Sequence, residues 1–277
     1  MELRFADRSE RGKLRLVGPQ RLWFLHQIMT QAFEDMKPGQ DRDTALITAR
    51  GRMVGYMETV ATEDSVLAHF EPELRADLPD AVRRYIFATQ VEVDDVSDQM
   101  ALLLVVGKGW SEVASRVAPE GVLHPTRSLG TDAAYLWAPF AARDQIIAGL
   151  RDAAEPATED ELEAIRIRNG APRWGREMTP KSLPQEAGID AWAVHFDKGC
   201  YVGQEAMAKI HFRGKVNKRL VRLEAEGVGA GESVVQDGAT VGTVTSAADE
   251  VALAIVKHTV EPSSEVEVEG VKARVMG

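Results

Sequence analysis

Toward its C-terminal end the chain carries no helical period. From Val216 onward the runs RLVRLEAEG, ESVVQDGATVGTVTSA, VALAIVKH, SEVEVEG and VKARVMG follow one another, with Asp-Gly and other glycine turn signals between them. Short strands joined this closely, with no helix to cover a face, must close on themselves or pack as a sandwich. A small closed or sandwich-like β domain is therefore expected over 216–277.

Residues 1–215 have a different texture. GKLRLVG reads as a strand, and PQRLWFLHQIM as a helix with proline in its first turn and Leu22, Leu25, Ile28 and Met29 at helical spacing. DTALITARGRMVGYMETVATEDSVLAHFE gives three strand-like runs broken at Ala49 to Arg52 and at Glu63 and Asp64, a meander. Helices are expected at DLPDAVRRYIF, WSEVASRVA and AARDQIIAGLRDAA, and strands at VEVDDVS, QMALLLVVG and DAAYLWAP. A further helix starts at TEDELEAIRIRNG, where Thr158 and Glu161 form a capping-box pattern and Gly170 can end it. Meanders mixed with helices predict an α+β fold, not a parallel doubly wound sheet.

The composition, 44 % hydrophobic and 27 % charged over 277 residues, is that of a globular protein. The apolar run LWFLHQIM is far shorter than the roughly 20 residues a membrane helix needs, and no basic leader precedes a cleavage site, so a cytoplasmic location is expected. A single cysteine, Cys200, excludes an internal disulfide and fits a reducing compartment. The net charge of −10 argues against a protein that coats nucleic acid. Locally the balance inverts: from Lys198 to Arg222 seven bases (Lys198, Lys209, Arg213, Lys215, Lys218, Arg219, Arg222) face the single acid Glu205, a net +6. That segment is either a solvated basic face or a place for an anionic partner.

Several motifs carry little. VVGKGWSEVAS lacks the third glycine of a dinucleotide fingerprint and reads as a tight turn, and EGVGAGE reads as a hairpin loop. His26, His69, His124, His195, His211 and His258 are scattered singly, so no metal site is expected. The stretch from Arg166 to Arg219 differs, because it concentrates glycine, proline, Trp174 and Trp192 in one long loop-rich passage. Within it Cys200 stands just before the helical run GQEAMAKI and two residues after Lys198, a setting that favours the thiolate. A lone cysteine packed as a small hydrophobe is the competing reading.

These residues carry a resemblance. KGCYVGQE is similar to the signature of the YgfZ-type folate-binding proteins, relatives of the glycine cleavage T-protein that support iron–sulfur cluster maturation or repair, and RNGAPRWG, LPQEAGID and RGKVNKRLVRL fall in that family's order and spacing. RLVGPQRLWFLHQIMTQ and TARGRMVGYM resemble its N-terminal helix and first hairpin more generally. The resemblance implies a three-lobed ring of the T-protein type ending in a small β-barrel, with tetrahydrofolate, usually polyglutamylated, bound in the middle. It makes Cys200, with Lys198, the reactive pair at something bound there. It implies Glu186 as the acid for the pterin edge, Arg219 and the basic segment for the glutamate tail, Trp174 and Tyr56 against the ring, and Gly199, Tyr201 and Gln204 around the thiol. Aminomethyl-transferring T-proteins carry an aspartate where this chain has Tyr56. The expected function is thus a folate-binding accessory factor, monomeric or weakly associating, whose partners are reduced folate and iron–sulfur client or carrier proteins. A folate-dependent aminomethyl or one-carbon transferase is the alternative, and a tRNA-binding or tRNA-modifying factor a third reading.

Overall fold

The computed structural model describes residues 2–214 and 216–276. In chain order its elements are β1 (Arg4–Asp7), β2 (Gly12–Val17), α1 (Arg21–Ile28), β3 (Asp41–Ile47), β4 (Met53–Ala61), β5 (Ser65–Phe70), α2 (Leu78–Arg83), β6 (Glu92–Asp95), β7 (Met100–Val106), α3 (Trp110–Val117), β8 (Val122–Pro125) and β9 (Ala133–Pro139). They continue with α4 (Arg143–Arg151), β10 (Glu155–Pro156), α5 (Glu159–Arg168), α6 (Asp190–Ala193), α7 (Gln204–Arg213) and then strands alone: β11 (Lys218–Glu224), β12 (Ser233–Gln236), β13 (Ala239–Ala248), β14 (Val251–Lys257), β15 (Glu265–Val268) and β16 (Val271–Val275).

Two five-stranded sheets and a barrel result. The first sheet has the order β3-β4-β5-β2-β6, the second β10-β1-β7-β9-β8, and β11-β14-β13-β12-β15-β16 close on themselves. The meander expected from sequence is β3 to β5, and its second turn lies at Glu63 and Asp64. The short strands β1 and β8 were not expected. β1 acquires its strand character by pairing with β7, far away in sequence, while β2 just after it joins the other sheet, so no local pattern reveals the exchange. The helix expected over DLPDAVRRYIF is shorter, because after Arg83 the backbone tightens into a turn in which Ile86 N–H reaches the Arg83 carbonyl. At α5 the capping box forms as its sequence predicts: Thr158 accepts from Glu161 N–H and Glu161 accepts from Thr158 N–H at 2.8 Å.

Strand alternation sorts the side chains of the first sheet between two cores. Met53, Met57 and Ala61 of β4 pack beneath α1 and α2, while Val60 and Leu67 face the second sheet and meet Leu102, Leu104 and Trp137 there. The barrel has its own core of small and β-branched residues, including Val234, Val256 and Val268. A buried polar cluster ties it to α5. Arg166 donates to Glu177 Oε2 (3.0 Å) and to Ser246 Oγ on β13 (2.6 Å), and Ser246 donates to Glu177 Oε1 (2.7 Å). Among the described residues no helix is long and apolar enough to cross a membrane.

Candidate functional site

The two sheets do not meet through hydrocarbon alone. Across the first sheet the register pairs Asp43 with Glu58, Glu58 with His69, and His69 with Lys13, so four ionisable side chains form one row on the face turned toward the second sheet. On the opposing sheet His124 is paired with Tyr135. The ring centroids of His69 lie 4.2 Å from Tyr135 and 5.1 Å from His124, which brings the two rows into one cluster.

Beside this layer the sheets, α5 and the segment after it border a narrow cavity of about 30 Å³. Tyr56, Tyr135, Trp174 and Trp192 wall it with aromatic surface, and Arg8, Arg11, Glu58, Glu71, Arg127 and Arg173 supply charge. Tyr56 donates to Asp43 Oδ2 (2.8 Å) and accepts from Trp192 Nε1–H (3.3 Å). Arg11 is wholly buried and donates to Glu71 Oε1 (2.7 Å) and to the Tyr135 hydroxyl oxygen (3.1 Å), with its other guanidinium nitrogen 3.7 Å from Glu58.

Burial of two acids side by side has a cost that the protonation equilibria record. Burial raises Glu58 to about 8 with Asp43 adding to the rise, and burial likewise raises Asp43 to about 6 against the opposing pull of Tyr56 and Arg127. Tyr56 is itself pushed well above the usual phenol range by burial and by Asp43, so it stays neutral. Burial, reinforced by Arg11, holds both histidines in the neutral form, with His124 lowered to about 3 and His69 well below its ordinary value. Glu58 Oε2 accepts from Thr126 Oγ1, but Glu58 Oε1 and all four ring nitrogens of His69 and His124 have no hydrogen-bond partner.

The residues expected to act together are distributed over three places. Tyr56 and Trp174 do line the central cavity. Glu186 does not: its carboxylate accepts from Leu183 N–H (2.9 Å) and from Arg52 (3.2 Å), closing the turn that leads into α6. Arg219 lies in a neighbouring cleft between the barrel and residues 169–192, where it donates to the Val260 carbonyl while its Nε stays unpartnered. Pro172 and Trp192 border both spaces.

The thiol loop is the third place. Cys200 is exposed and is not part of the cavity wall. Its loop is anchored on α1: Lys198 Nζ donates to the carbonyls of His26 and Gln31 (the latter at 3.0 Å), and His26 Nε2 bonds the Lys198 carbonyl at 2.7 Å. Because His26 Nδ1 accepts from Phe33 N–H (3.2 Å), the Nε2 proton is the one donated to that carbonyl. Burial lowers Lys198 to about 7, and its amino group sits 4.7 Å from the Tyr201 ring. Tyr201 is buried with its hydroxyl unpartnered, raised to about 12 by that burial. Gly199 and Gly203 have φ of 93° and 84°, and Gln204 opens α7. In the basic segment Lys209 and Lys218 are exposed, and Lys215 and the side chain of Arg213 lie outside the described residues.

The sequence reading found no metal-type cluster, and Glu58, His69 and His124 escaped it. His69 could have been located: counting five residues outward on each side of the Glu63–Asp64 turn lands on Glu58 and His69. His124 could not, since it arrives from the other sheet.

A family model for the CAF17 C-terminal beta-barrel domain matches residues 217–276. The chain is 27 % identical over 264 residues to the chloroplastic protein At1g60990 of Arabidopsis thaliana, covering 87 % of this chain and 61 % of that protein. It is 26 % identical over 243 residues to a mitochondrial iron–sulfur cluster assembly factor IBA57 homolog of Phaeosphaeria nodorum, covering 82 % of this chain and 57 % of the relative. With an aminomethyltransferase of Thermus thermophilus it shares 26 % identity over 95 % of this chain and 82 % of that enzyme. The chain thus spans about three fifths of the first two relatives. In fold it matches the crystal structure of the glycine cleavage aminomethyltransferase T from Bartonella henselae with a TM-score of 0.90 at 17 % identity, over 100 % of this chain and 85 % of that one.

Proposed function

We propose, from the membership of this chain in the CAF17/IBA57 (YgfZ-type) family related to the glycine cleavage T-protein, that it is an iron–sulfur cluster assembly factor which binds a reduced folate without transferring an aminomethyl group. The observation that carries the folate reading is the lining of the central cavity, which sets aromatic faces beside buried charged groups. A pterin presents a flat ring and an edge of N–H donors. Trp174, Tyr56 and Tyr135 suit the ring, and Glu58 Oε1, which has no hydrogen bond of its own, suits the edge. Arg127, more than half exposed and only 3.6 and 3.9 Å from Asp41 and Asp43, is placed for a carboxylate of the tail, and Arg219, with no hydrogen bond at its Nε, for a tail long enough to pass the Pro172–Trp192 wall. Glu186 lies outside this cavity and uses Oε2 to hold its own turn, so in this reading it supports the fold of the loop.

Tyr56 argues against transfer. An aminomethyl transfer needs a carboxylate beside the reacting nitrogen to move a proton and to stabilise a cationic species. A phenol held neutral and bonded to Asp43 offers neither, and the acid behind it is turned to the tyrosine. The transferase reading draws on the match to the Thermus enzyme along nearly the whole chain. An assay of folate-dependent ammonia release from an aminomethylated carrier protein, with native protein and Tyr56→Asp, decides between them. No native turnover is expected, and robust native turnover overturns the proposal.

In this reading Cys200 acts on a partner protein and not on the folate, since its thiol is exposed and its loop is fixed by Lys198. One thiol cannot hold a cluster that takes about four ligands, so any cluster contact is shared with the partner. Cys200→Ser should leave folate affinity unchanged in a titration and abolish support of iron–sulfur enzymes in cells lacking the native protein. Full rescue by the serine variant would sink the role of the thiol. The cytoplasm is the proposed site of action, while relatives carry mitochondrial and chloroplastic names.

A further inference from the structure

We infer that Glu58, His69 and His124 form a binding site for one divalent first-row transition-metal ion, zinc or ferrous iron, behind the wall of the central cavity. One carboxylate oxygen and one nitrogen from each ring all lie within 4.8 Å of one another. A tetrahedral ion with bonds of about 2.0–2.2 Å holds its ligands roughly 3.4 Å apart, so side-chain adjustments of about 1 Å complete the site. Two imidazoles and a carboxylate are the donor set that such ions take, and soft, thiolate-seeking ions are not served by it.

The second observation is that neither imidazole has a hydrogen-bond partner, and Glu58 Oε1 has only the Arg11 guanidinium at 3.7 Å. Exposure is 1 % for Glu58 and 0 % for each histidine, and five of their polar atoms are without a hydrogen-bond partner. Buried polar groups are normally bonded, and leaving one unmade costs about 1–3 kcal/mol. An ion satisfies three of these atoms at once. Charge agrees: Asp43 and Glu58 stand opposite each other, and the nearest buried cation, Arg11, is already engaged by Glu71 at 2.7 Å. Arg127 is 3.9 Å from Asp43 but more than half exposed. A divalent ion adds positive charge to what Arg11 and Arg127 bring to this pair. Three protein ligands leave a further coordination position open, as in metal sites that bind a water or a substrate. Glu58 is the member that lines the cavity, so the ion has a route in from it.

The test uses the whole protein, stripped with a chelator and free of folate, so that its result is independent of the folate reading. Zinc titrated by calorimetry should bind with one equivalent, and crystals grown with zinc should give a single anomalous peak between the three side chains. Cobalt should give the visible bands of a four- or five-coordinate ion, without a thiolate charge-transfer band. His69→Gln and His124→Gln should each weaken zinc by at least about tenfold, whereas Cys200→Ser should not. Ordered water in place of the peak, a peak elsewhere, or loss of zinc in the serine variant overturns the assignment. Should the histidine variants fail to fold, the wild-type diffraction decides alone.

Discussion

A carboxyl at position 58 can ionise only against burial and against Asp43 across the strand pair. Its folded-state value, about 8, is above its ordinary range near 4.5. The folded protein therefore holds a proton there that the unfolded chain has lost. The stability this contributes is complete below the unfolded value and is lost as pH rises toward and through the folded one. In metal-stripped protein, urea unfolding should show stability falling between about pH 5 and 8, by an amount on the order of a few kcal/mol. Glu58→Gln should flatten that fall, because the amide has no proton to lose and can still accept from Thr126. An equal slope in both proteins would refute the assignment to Glu58. This residue also marks the limit of what the sequence discloses. Tyr56 is recognisable because it breaks an expected pattern, and Cys200 because it is single, but nothing in the neighbourhood of Glu58 or His124 announces that strand pairing and sheet packing will bring them together.

The thiol loop and the barrel joint each depend on a specific close contact. Gly203 combines a left-handed backbone with close approach: a Cβ there would stand 2.4 Å from the Thr48 carbonyl oxygen at the end of β3. Gly199 shares the backbone sign, yet a Cβ would meet nothing within 4 Å. Gly203→Ala should therefore cost about 1–3 kcal/mol and displace the loop, while Gly199→Ala pays only the smaller conformational penalty of about 1 kcal/mol. Denaturant midpoints and the rate of thiol labelling at Cys200 measure both effects, and equal losses in the two variants would contradict this account. At the joint, Arg166→Met strands the buried Glu177 carboxylate, which then keeps only Ser246 and the Arg173 N–H. A loss of about 3–5 kcal/mol is expected, with part of it restored by adding Glu177→Gln. No recovery in the double variant would mean that shape, not charge, is what Arg166 supplies. The glycine flanks of the loop and the capping box of α5 were legible because their causes are local. The Arg166–Glu177–Ser246 joint was not, since Ser246 lies 80 residues from Arg166 and only barrel closure delivers it.

Across the whole molecule, the α+β arrangement and a C-terminal β domain, closed or sandwich-like, were readable from strand spacing, because turns and hydrophobic alternation are written in short stretches; that it closes into a barrel was implied only by the resemblance. The division of strands between the sheets was not, because β1 and β2 separate after a few residues. A ligand held between both sheets, α5 and its following loop opposes the unfolding of all of them together. Tetrahydrofolate at about 100 times its Kd should therefore add about 2.7 kcal/mol and raise Tm by roughly 5 °C; a ligand that binds without shifting Tm would be attached elsewhere. The acidic surface sets a further expectation: at physiological salt tRNA should bind more weakly than folate in a competition titration, and the opposite order would favour a nucleic-acid role.

Pro172 and Trp192 give the central cavity and the barrel-side cleft a common partition. A partition has no private side. If an occupant of the cavity displaces the Trp192 indole, it alters the cleft by the same movement, and a protein or peptide seated against the barrel acts on the cavity in return. Thermodynamic reciprocity requires the two affinities to change by one common factor. The small molecule would then be a message as well as a tenant, with the tryptophan as the surface on which both sides read it.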